Sequence, residues 1–164
     1  MKKKIVYAND YYQVFLDDRE ILSLRNLKNG ASILPVTNDK KVILMEIFRK
    51  PINAYSLEIP RGFKEDKEDS LVTAKRELYE EISCECRNII SLGSMYPDSG
   101  FIESKIDLYL GLGANLIENK LQEEEGIHKI KLLDFQKAIQ MAIDGEILDS
   151  FTLVSLLRSQ KYLP

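Results

Sequence analysis

The chain has 164 residues, with 23 basic and 26 acidic side chains and a formal net charge of −3. This length predicts one domain, residues 1–164, and the hydrophobic content of 45% is typical of a globular protein with a single core. The balanced charge gives no electrostatic footprint for duplex nucleic acid, and no apolar run is long enough to span a membrane. The apolar stretch after the first lysines is too short for a signal peptide, so the sequence predicts a cytoplasmic protein.

The first part of the chain is predicted to consist of β-strands. An N-terminal hairpin, with Asn9 and Asp10 at its turn, makes residues 1–30 a short extension of the domain. Two apolar runs then surround a polar turn at residues 37–40, as expected of buried strands. The predicted strands are residues 4–8, 11–16, 31–36, 42–48 and 54–59.

A helix is predicted to follow, because Asp69 or Ser70 can cap it with a side-chain oxygen. Its apolar stripe consists of Leu71, Ala74, Leu78 and Ile82. The remaining predicted elements are strands at 88–95, 105–112 and 127–133 and helices at 134–143 and 149–158. Strands mostly precede helices in this order, which indicates a layered α+β domain.

Three glutamates share another face of the central helix. Glu77, Glu80 and Glu81 are spaced i, i+3 and i+4, so they fall within an arc of about 100° and repel one another. A solvated acidic face is one interpretation in a chain with 30% charged residues. The other is a site for a hard divalent cation such as Mg²⁺ or Mn²⁺, which prefers carboxylate oxygens and relieves the repulsion.

The sequence around the helix favours the metal site. Gly62 is followed after five residues by Glu68, and after seven more by the run Arg76-Glu77-Leu78-x-Glu80-Glu81. This pattern resembles the Nudix box, the signature of hydrolases that cleave nucleoside diphosphates linked to another group. Ser83 and Cys84 depart from the pattern, which has a glycine and an aliphatic residue there. Because serine adopts the left-handed conformation less readily than glycine, we expect an altered helix end and unaltered metal ligands.

The resemblance implies an α/β/α sandwich, a mixed β-sheet flanked by helices, with a short N-terminal β-hairpin. It also implies that the helix glutamates, above all Glu81, bind Mg²⁺ or Mn²⁺ together with the backbone carbonyl of Arg61. Glu68 would support the site through an outer metal or by pairing with Arg76. Arg76 would orient the glutamates, or else form a surface ion pair. Gly62 would serve the loop geometry, where a Cβ would obstruct.

Three further segments resemble the ADP-ribose pyrophosphatase subgroup. Residues 57–62 are similar to its Glu-x-Pro-x-Gly pattern, and residues 145–150 to a Gly-x-Ile-x-Asp link between its last helices. Residues 96–103 loosely resemble its Pro-Gly-Phe segment, although a plain turn before a strand is the alternative. The arginines could bind phosphate oxygens, and a surface position is the alternative. The aromatic rings could stack on a base or ribose, and a role in the core is the alternative. The substrate-binding candidates are Arg49, Glu58, Arg61, Tyr96, Gly100 and Phe101.

An acidic segment near residue 124 resembles the loop that supplies the catalytic base in this subgroup. Glu123 is the first candidate for the base and Glu125 the second, and a solvated acidic loop is the alternative. Cys84 and Cys86, with His128 as the one histidine, lack the ligands for a structural zinc site. We therefore expect reduced, partly buried thiols and a surface or edge histidine.

The function that the resemblance implies is a Mg²⁺- or Mn²⁺-dependent pyrophosphohydrolase. It would convert ADP-ribose, or a similar nucleotide sugar, to AMP and ribose 5-phosphate or the corresponding products. One alternative is a preference for GDP-mannose or a dinucleoside polyphosphate. Another is a non-catalytic sensor of nucleotide sugars, against which the intact glutamates argue. The resemblance also implies a homodimer.

Overall fold

The structure, a computed structural model, describes residues 2–117 and 126–163. It begins with a small antiparallel sheet of β1 (Lys3–Ala8), β2 (Tyr12–Asp17) and β3 (Leu22–Asn26), paired in that order. The Asn9 side chain shapes the first turn, because its Oδ1 accepts hydrogen bonds from the N–H groups of Tyr11 at 2.9 Å and Tyr12 at 2.7 Å. The predicted hairpin is therefore present, and β3 extends it by a strand that the sequence did not indicate.

A mixed sheet forms the centre of the molecule. Its strands are β4 (Gly30–Val36), β5 (Lys41–Arg49), β6 (Ala54–Glu58), β7 (Arg61–Phe63), β9 (Asn88–Met95), β10 (Ile106–Leu112) and β12 (Ile127–Asp134). The strand order is β12-β5-β4-β10-β9, with β6 beside β5 and β7 beside β4. β4 and β10 run parallel, and the other pairs are antiparallel. A separate two-stranded ladder pairs β8 (Cys84–Glu85) with β11 (Asn115–Leu116).

The central sheet lies between helices on its two faces, as the α/β/α prediction requires. Alternate side chains of β4 enter opposite cores, because successive residues of a strand point to opposite faces. Ile33 packs in the core that holds α1 (Ser70–Ile82). Leu34 packs in the core that holds α2 (Phe135–Ile143) and α3 (Ser150–Ser159). Burial on both faces explains the nearly continuous apolar runs of the central strands.

The polar turn at residues 37–40 joins β4 to β5, but the two strands pair only at Val36 and Val42. Beyond this point β7 lies beside β4 and β6 lies beside β5, so each strand takes a different neighbour. The short strand β7 occupies residues that were predicted as a glycine loop. Its pairing with β4 positions the chain just before α1.

Both cysteines are free thiols, with Cys84 buried and Cys86 half-buried, as predicted. His128 is exposed on β12, where its ring lies 5.4 Å from that of Tyr55. Among residues 2–117 and 126–163, no helix has the length and apolar character needed to cross a membrane.

Candidate active site

Helix α1 carries the glutamates, and a single residue defines each of its ends. Asp69 caps the start, since its Oδ1 accepts a hydrogen bond from the N–H of Val72 at 2.9 Å. Ser83 ends the helix in the left-handed conformation, with φ of 48° and ψ of 47°, and its N–H donates to the carbonyls of Leu78 and Tyr79. The serine therefore takes the backbone conformation expected of the usual glycine.

Glu77 and Glu81 lie one turn apart and both face a cleft beside β7. Glu81 is 4% exposed, and its Oε2 accepts a hydrogen bond from the backbone N–H of Arg61 at 3.0 Å. A Cβ on Gly62 would lie 2.0 Å from Oε1 of Glu77. Gly62 thus gives the Glu77 carboxylate its space, in agreement with the predicted obstruction, although the residue lies in a strand.

Arg76 hydrogen-bonds two of the helix glutamates and also contacts Glu68 and β7. Its Nη1 donates to Glu77 and to Glu80, each at 2.8 Å, and its Nε donates to Glu68 at 3.0 Å. Its Nη2 donates to the carbonyl of Phe63 at 2.8 Å. Glu80, whose side chain is 43% exposed, is not among the residues that line the cleft. Arg76 therefore holds two of the three carboxylates of the helix.

The charges around Arg76 shift the pKa of both partners in its strongest ion pair. The hydrogen bond to Glu68 raises the pKa of Arg76 above its ordinary value, despite partial burial. The hydrogen bonds from Arg76 and from the backbone N–H of Glu65 lower the pKa of Glu68 to about 2. Glu68 thus pairs with Arg76, and its role in supporting the site stays a prediction.

Two arginines that line the cleft share one buried carboxylate. Nη2 of Arg49 and Nη2 of Arg61 donate to Oε2 of Glu58 at 2.6 and 2.7 Å. Burial acts to raise the pKa of Glu58, but the hydrogen bond from Arg49 and the charge of Arg61 outweigh it, and the pKa is lowered. Arg61 also donates to Asp149 at 2.6 Å, and its guanidinium lies 4.2 Å from the centre of the Phe151 ring. These contacts hold both guanidinium groups at the cleft wall.

The cleft has a volume of about 680 Å³ and a wall of aromatic rings. The ring of Phe63 lies 6.2 Å from that of Tyr11 and 5.8 Å from that of Tyr12. The two tyrosines come from β2 and the turn before it, so the N-terminal sheet contributes directly to the cleft. We refer to Tyr11, Tyr12 and Phe63 as the aromatic wall.

Several predicted substrate residues lie elsewhere. Tyr96, Gly100, Phe101 and the buried Glu58 are not among the residues that line the cleft, whereas Pro97 and Ile102 are. Backbone hydrogen bonds tie this segment to β3, since the N–H of Leu24 donates to the carbonyl of Phe101 at 2.8 Å. Glu123 and Glu125, the predicted bases, lie outside the described residues.

Sequence reasoning missed the aromatic wall and the contacts of Asp149. The tyrosines had no motif to mark them, because they reach the cleft only through the packing of the N-terminal sheet. Phe63 directly follows Gly62, and this adjacency was a usable signal. Asp149 lies in the segment 145–150 that was interpreted as a structural link. The structure shows that it also caps α3, where its Oδ2 accepts from the N–H of Thr152 at 2.9 Å.

Among the described residues, no three aspartate, glutamate, histidine or cysteine side chains are already arranged as a metal site. Arg76 explains part of this absence, since its guanidinium hydrogen-bonds the Glu77 and Glu80 carboxylates. The donors fit a hard divalent ion in chemical type, because the cleft-facing groups of Glu77 and Glu81 are carboxylate oxygens. Because the Glu77 carboxylate lies so close to Gly62, position 62 has room only for the hydrogen atom of glycine.

The fold is an α/β/α sandwich, and a carboxylate-bearing helix lines its candidate active site. The NUDIX domain matches residues 26–151, and the chain belongs to the Nudix family. It is a Nudix hydrolase, and enzymes of this family generally use divalent metal ions.

Relatives of similar length support this assignment. A methanol dehydrogenase activator of Bacillus methanolicus is 30% identical over 165 residues, which cover 95% of this chain and 89% of that protein. An ADP-ribose pyrophosphatase of Bacillus subtilis (strain 168) is 23% identical and covers 94% of this chain and 88% of its own length. A CMP-5'-(N-acetyl-N-hydroxy-3-aminopropyl)phosphonate hydrolase of Streptomyces rubellomurinus (strain ATCC 31215) is 30% identical, over 94% of this chain and 78% of its own length.

A solved structure, described as the crystal structure of ADP compounds hydrolase, matches with a TM-score of 0.79. The match covers 99% of this chain and 92% of that chain at 14% identity, and it shows a shared fold.

Proposed function

We propose that this enzyme hydrolyses ADP-ribose to AMP and ribose 5-phosphate. One observation carries the proposal: carboxylates, guanidinium groups and an aromatic wall converge on a single cleft of about 680 Å³. Carboxylates can bind the divalent ion that accompanies a diphosphate, and guanidinium groups can bind the diphosphate itself. Aromatic rings can stack on a nucleobase. The name of the Bacillus subtilis relative supports the same substrate.

Glu77, Glu80, Glu81 and the backbone carbonyl of Arg61 are the proposed ligands of a divalent ion, Mg²⁺ or Mn²⁺. When bound, such an ion neutralises phosphate charge and lowers the pKa of attacking water. Arg76 positions the carboxylates through its hydrogen bonds to Glu77 and Glu80. Its own position is fixed by the pair with Glu68, so we propose that neither Arg76 nor Glu68 contacts the substrate.

Arg49 and Arg61 are the proposed ligands of the diphosphate. Their hydrogen bonds to carboxylates use Nε and Nη2 of Arg49 and both Nη atoms of Arg61. Within the described residues, Nη1 of Arg49 and Nε of Arg61 remain as donors for phosphate oxygens. Glu58 therefore holds the two guanidinium groups while leaving each with an N–H to offer.

The reaction breaks one phosphoric anhydride bond. The oxygen of a water molecule bonds to one phosphorus, and the bridging oxygen leaves with the electron pair of the bond to that phosphorus. One of the two acidic-loop glutamates, Glu123 or Glu125, takes the proton of the water. The arginines neutralise charge that grows on the phosphate oxygens as the bond breaks.

Replacing Glu81 with glutamine tests this function. The variant keeps the size of the side chain but removes a cleft-facing charge, so kcat for ADP-ribose is expected to fall by at least about 10²-fold. Glu146→Gln, which changes an exposed residue between α2 and α3, is the matched control. AMP release is measured with Mg²⁺, with Mn²⁺ and with EDTA, and EDTA is expected to abolish it.

The assay also includes GDP-mannose and a dinucleoside polyphosphate, because a preference for either would contradict ADP-ribose as the substrate. Unchanged hydrolysis by Glu81→Gln, or hydrolysis that resists EDTA, would contradict the proposed metal ligands. Binding of ADP-ribose without any turnover would contradict the proposed reaction.

We also propose that the enzyme is a homodimer that acts in the cytoplasm. Every residue of β1 is exposed, including Ile5, Val6 and Tyr7, which leaves an apolar strand at the edge of the small sheet. The mass of one chain is 18.9 kDa, so sedimentation at about twice this mass is expected and sedimentation as a single chain would refute the dimer. The free thiols of Cys84 and Cys86 suit a reducing compartment.

A further inference from the structure

The positive charges that line the cleft fall into two groups. Arg49, Arg61 and Arg76 are each hydrogen-bonded to carboxylates. Lys28 and Lys64 line the same cleft and are half-buried, but neither has a carboxylate partner in the part of the chain that the structure describes. A half-buried ammonium group loses hydration without gaining a counter-ion, and an anionic ligand removes this cost.

Both lysines lie at the aromatic end of the cleft. Nζ of Lys28 is 5.6 Å from the centre of the Tyr11 ring. The backbone N–H of Lys64 donates to the carbonyl of Asn29 at 2.8 Å, which holds Lys64 beside the chain that carries Lys28. Phe63, the residue before Lys64, belongs to the aromatic wall. The unpaired positive charge therefore adjoins the surface proposed to receive the nucleobase.

The carboxylate next to these lysines in the chain is Glu65, which follows Lys64 and also lines the cleft. Its side chain is exposed and forms no ion pair with either lysine among the described contacts. Its backbone N–H instead donates to Glu68 at 3.0 Å. The lysines thus remain the excess charge at this end of the cleft.

We propose that Lys28 and Lys64 bind a phosphate carried by the nucleoside ribose of the substrate. The preferred substrate class would then be a nucleoside diphosphate derivative with an additional phosphomonoester at the 2′ or 3′ position. This inference rests on the proposed function, because the scissile diphosphate has to lie beside Glu77 and Glu81. With the diphosphate there and the base on the aromatic wall, the ribose hydroxyls are the positions that can present another anion to the lysines.

The test compares substrates that differ only in this phosphate. One pair is ADP-ribose and ADP-ribose 2′-phosphate, and the other is dephospho-coenzyme A and coenzyme A, which differ in a 3′-phosphate. We expect kcat/KM to be at least about tenfold higher for one phosphorylated compound than for its partner, since a charge-assisted contact commonly contributes this much. The pair with the larger ratio identifies the position of the phosphate.

Lys28→Gln and Lys64→Gln are each expected to reduce this ratio by about tenfold, mainly by lowering kcat/KM for the phosphorylated compound. Lys137→Gln, at an exposed position on α2 outside the cleft, is the matched control and should leave the ratio unchanged. Equal kcat/KM within both pairs for the wild-type enzyme would overturn the inference while leaving the proposed function intact. Equal losses on both members of a pair would also overturn it, because the lysines would then bind the diphosphate common to all substrates.

A binding measurement keeps the inference testable if none of these compounds is hydrolysed, a result that would contradict the proposed function instead. Calorimetric titration would compare AMP with adenosine 2′,5′-bisphosphate and adenosine 3′,5′-bisphosphate. Tighter binding of a bisphosphate, lost in Lys28→Gln, supports the lysine site. Equal affinities of AMP and both bisphosphates would overturn it.

Discussion

Replacing Gly62 with alanine is expected to impair catalysis through a single displaced carboxylate. The new Cβ would lie 2.0 Å from Oε1 and 2.1 Å from Cδ of Glu77, whereas ordinary contact begins at 3.4 Å. The carboxylate therefore has to retreat by more than about 1 Å, and a misplacement of this size in a catalytic group lowers the rate by about 10²-fold. Hydrolysis of ADP-ribose would show this as a lower kcat.

The fold is expected to tolerate the same change. Gly62 is not among the glycines with positive φ, so alanine can adopt its backbone conformation. The obstructing atoms are the end of a flexible side chain, and moving them costs about 1 kcal/mol in the free energy of unfolding, measured in urea. Gly111→Ala is the matched control, because its Cβ would meet Sγ of Cys86 at 2.4 Å, away from the cleft. A wild-type kcat in Gly62→Ala would refute the reasoning, and so would an equal loss in Gly111→Ala.

Two further predictions concern stability. Ser83→Gly should raise the free energy of unfolding by about 1 kcal/mol, because glycine adopts the left-handed conformation of this helix end without a steric penalty; an unchanged midpoint in urea would show that the serine is not strained. The pKa of Glu68 is about 2 in the folded protein against an ordinary 4.5, so the unfolded chain binds the proton first and stability falls as the pH drops between these values. Glu68→Gln should therefore lose less stability than the wild type between about pH 5 and about pH 3, and parallel losses in urea unfolding would contradict the role of the Arg76 pair.

The strands and helices that form the core could be predicted because apolar residues recur along each of them at the spacing of a strand or a helix. β9, predicted at residues 88–95, is present at Asn88–Met95. The strand β3 was not predicted in this way, since its alternation of Leu22 and Leu24 with polar residues spans only five residues, none of them buried. Its strand conformation depends on pairing with β2 and on the bridge between Leu24 and Ile102, which are contacts distant in sequence.

The same distinction applies to the candidate site. The spacing of Glu77 and Glu81 is a local property of one helix, so the sequence was sufficient to put both carboxylates on one face. The tyrosines of the aromatic wall reach the cleft because the small N-terminal sheet docks beside β7, where their rings contact Phe63. Ile102 lines the cleft and Phe101 does not, in a segment that backbone hydrogen bonds join to Leu24 of β3, and no pattern within residues 96–103 could reveal these distant contacts.

Arg61 contacts two separate groups of carboxylates through different parts of the same residue. Its side chain binds Glu58 and Asp149, whereas its backbone N–H holds the buried carboxylate of Glu81. Every amino acid except proline supplies that N–H. Position 61 can therefore exchange its side chain during evolution without dismantling the carboxylate arrangement. A scaffold built in this way can acquire new substrates while retaining its hydrolytic chemistry.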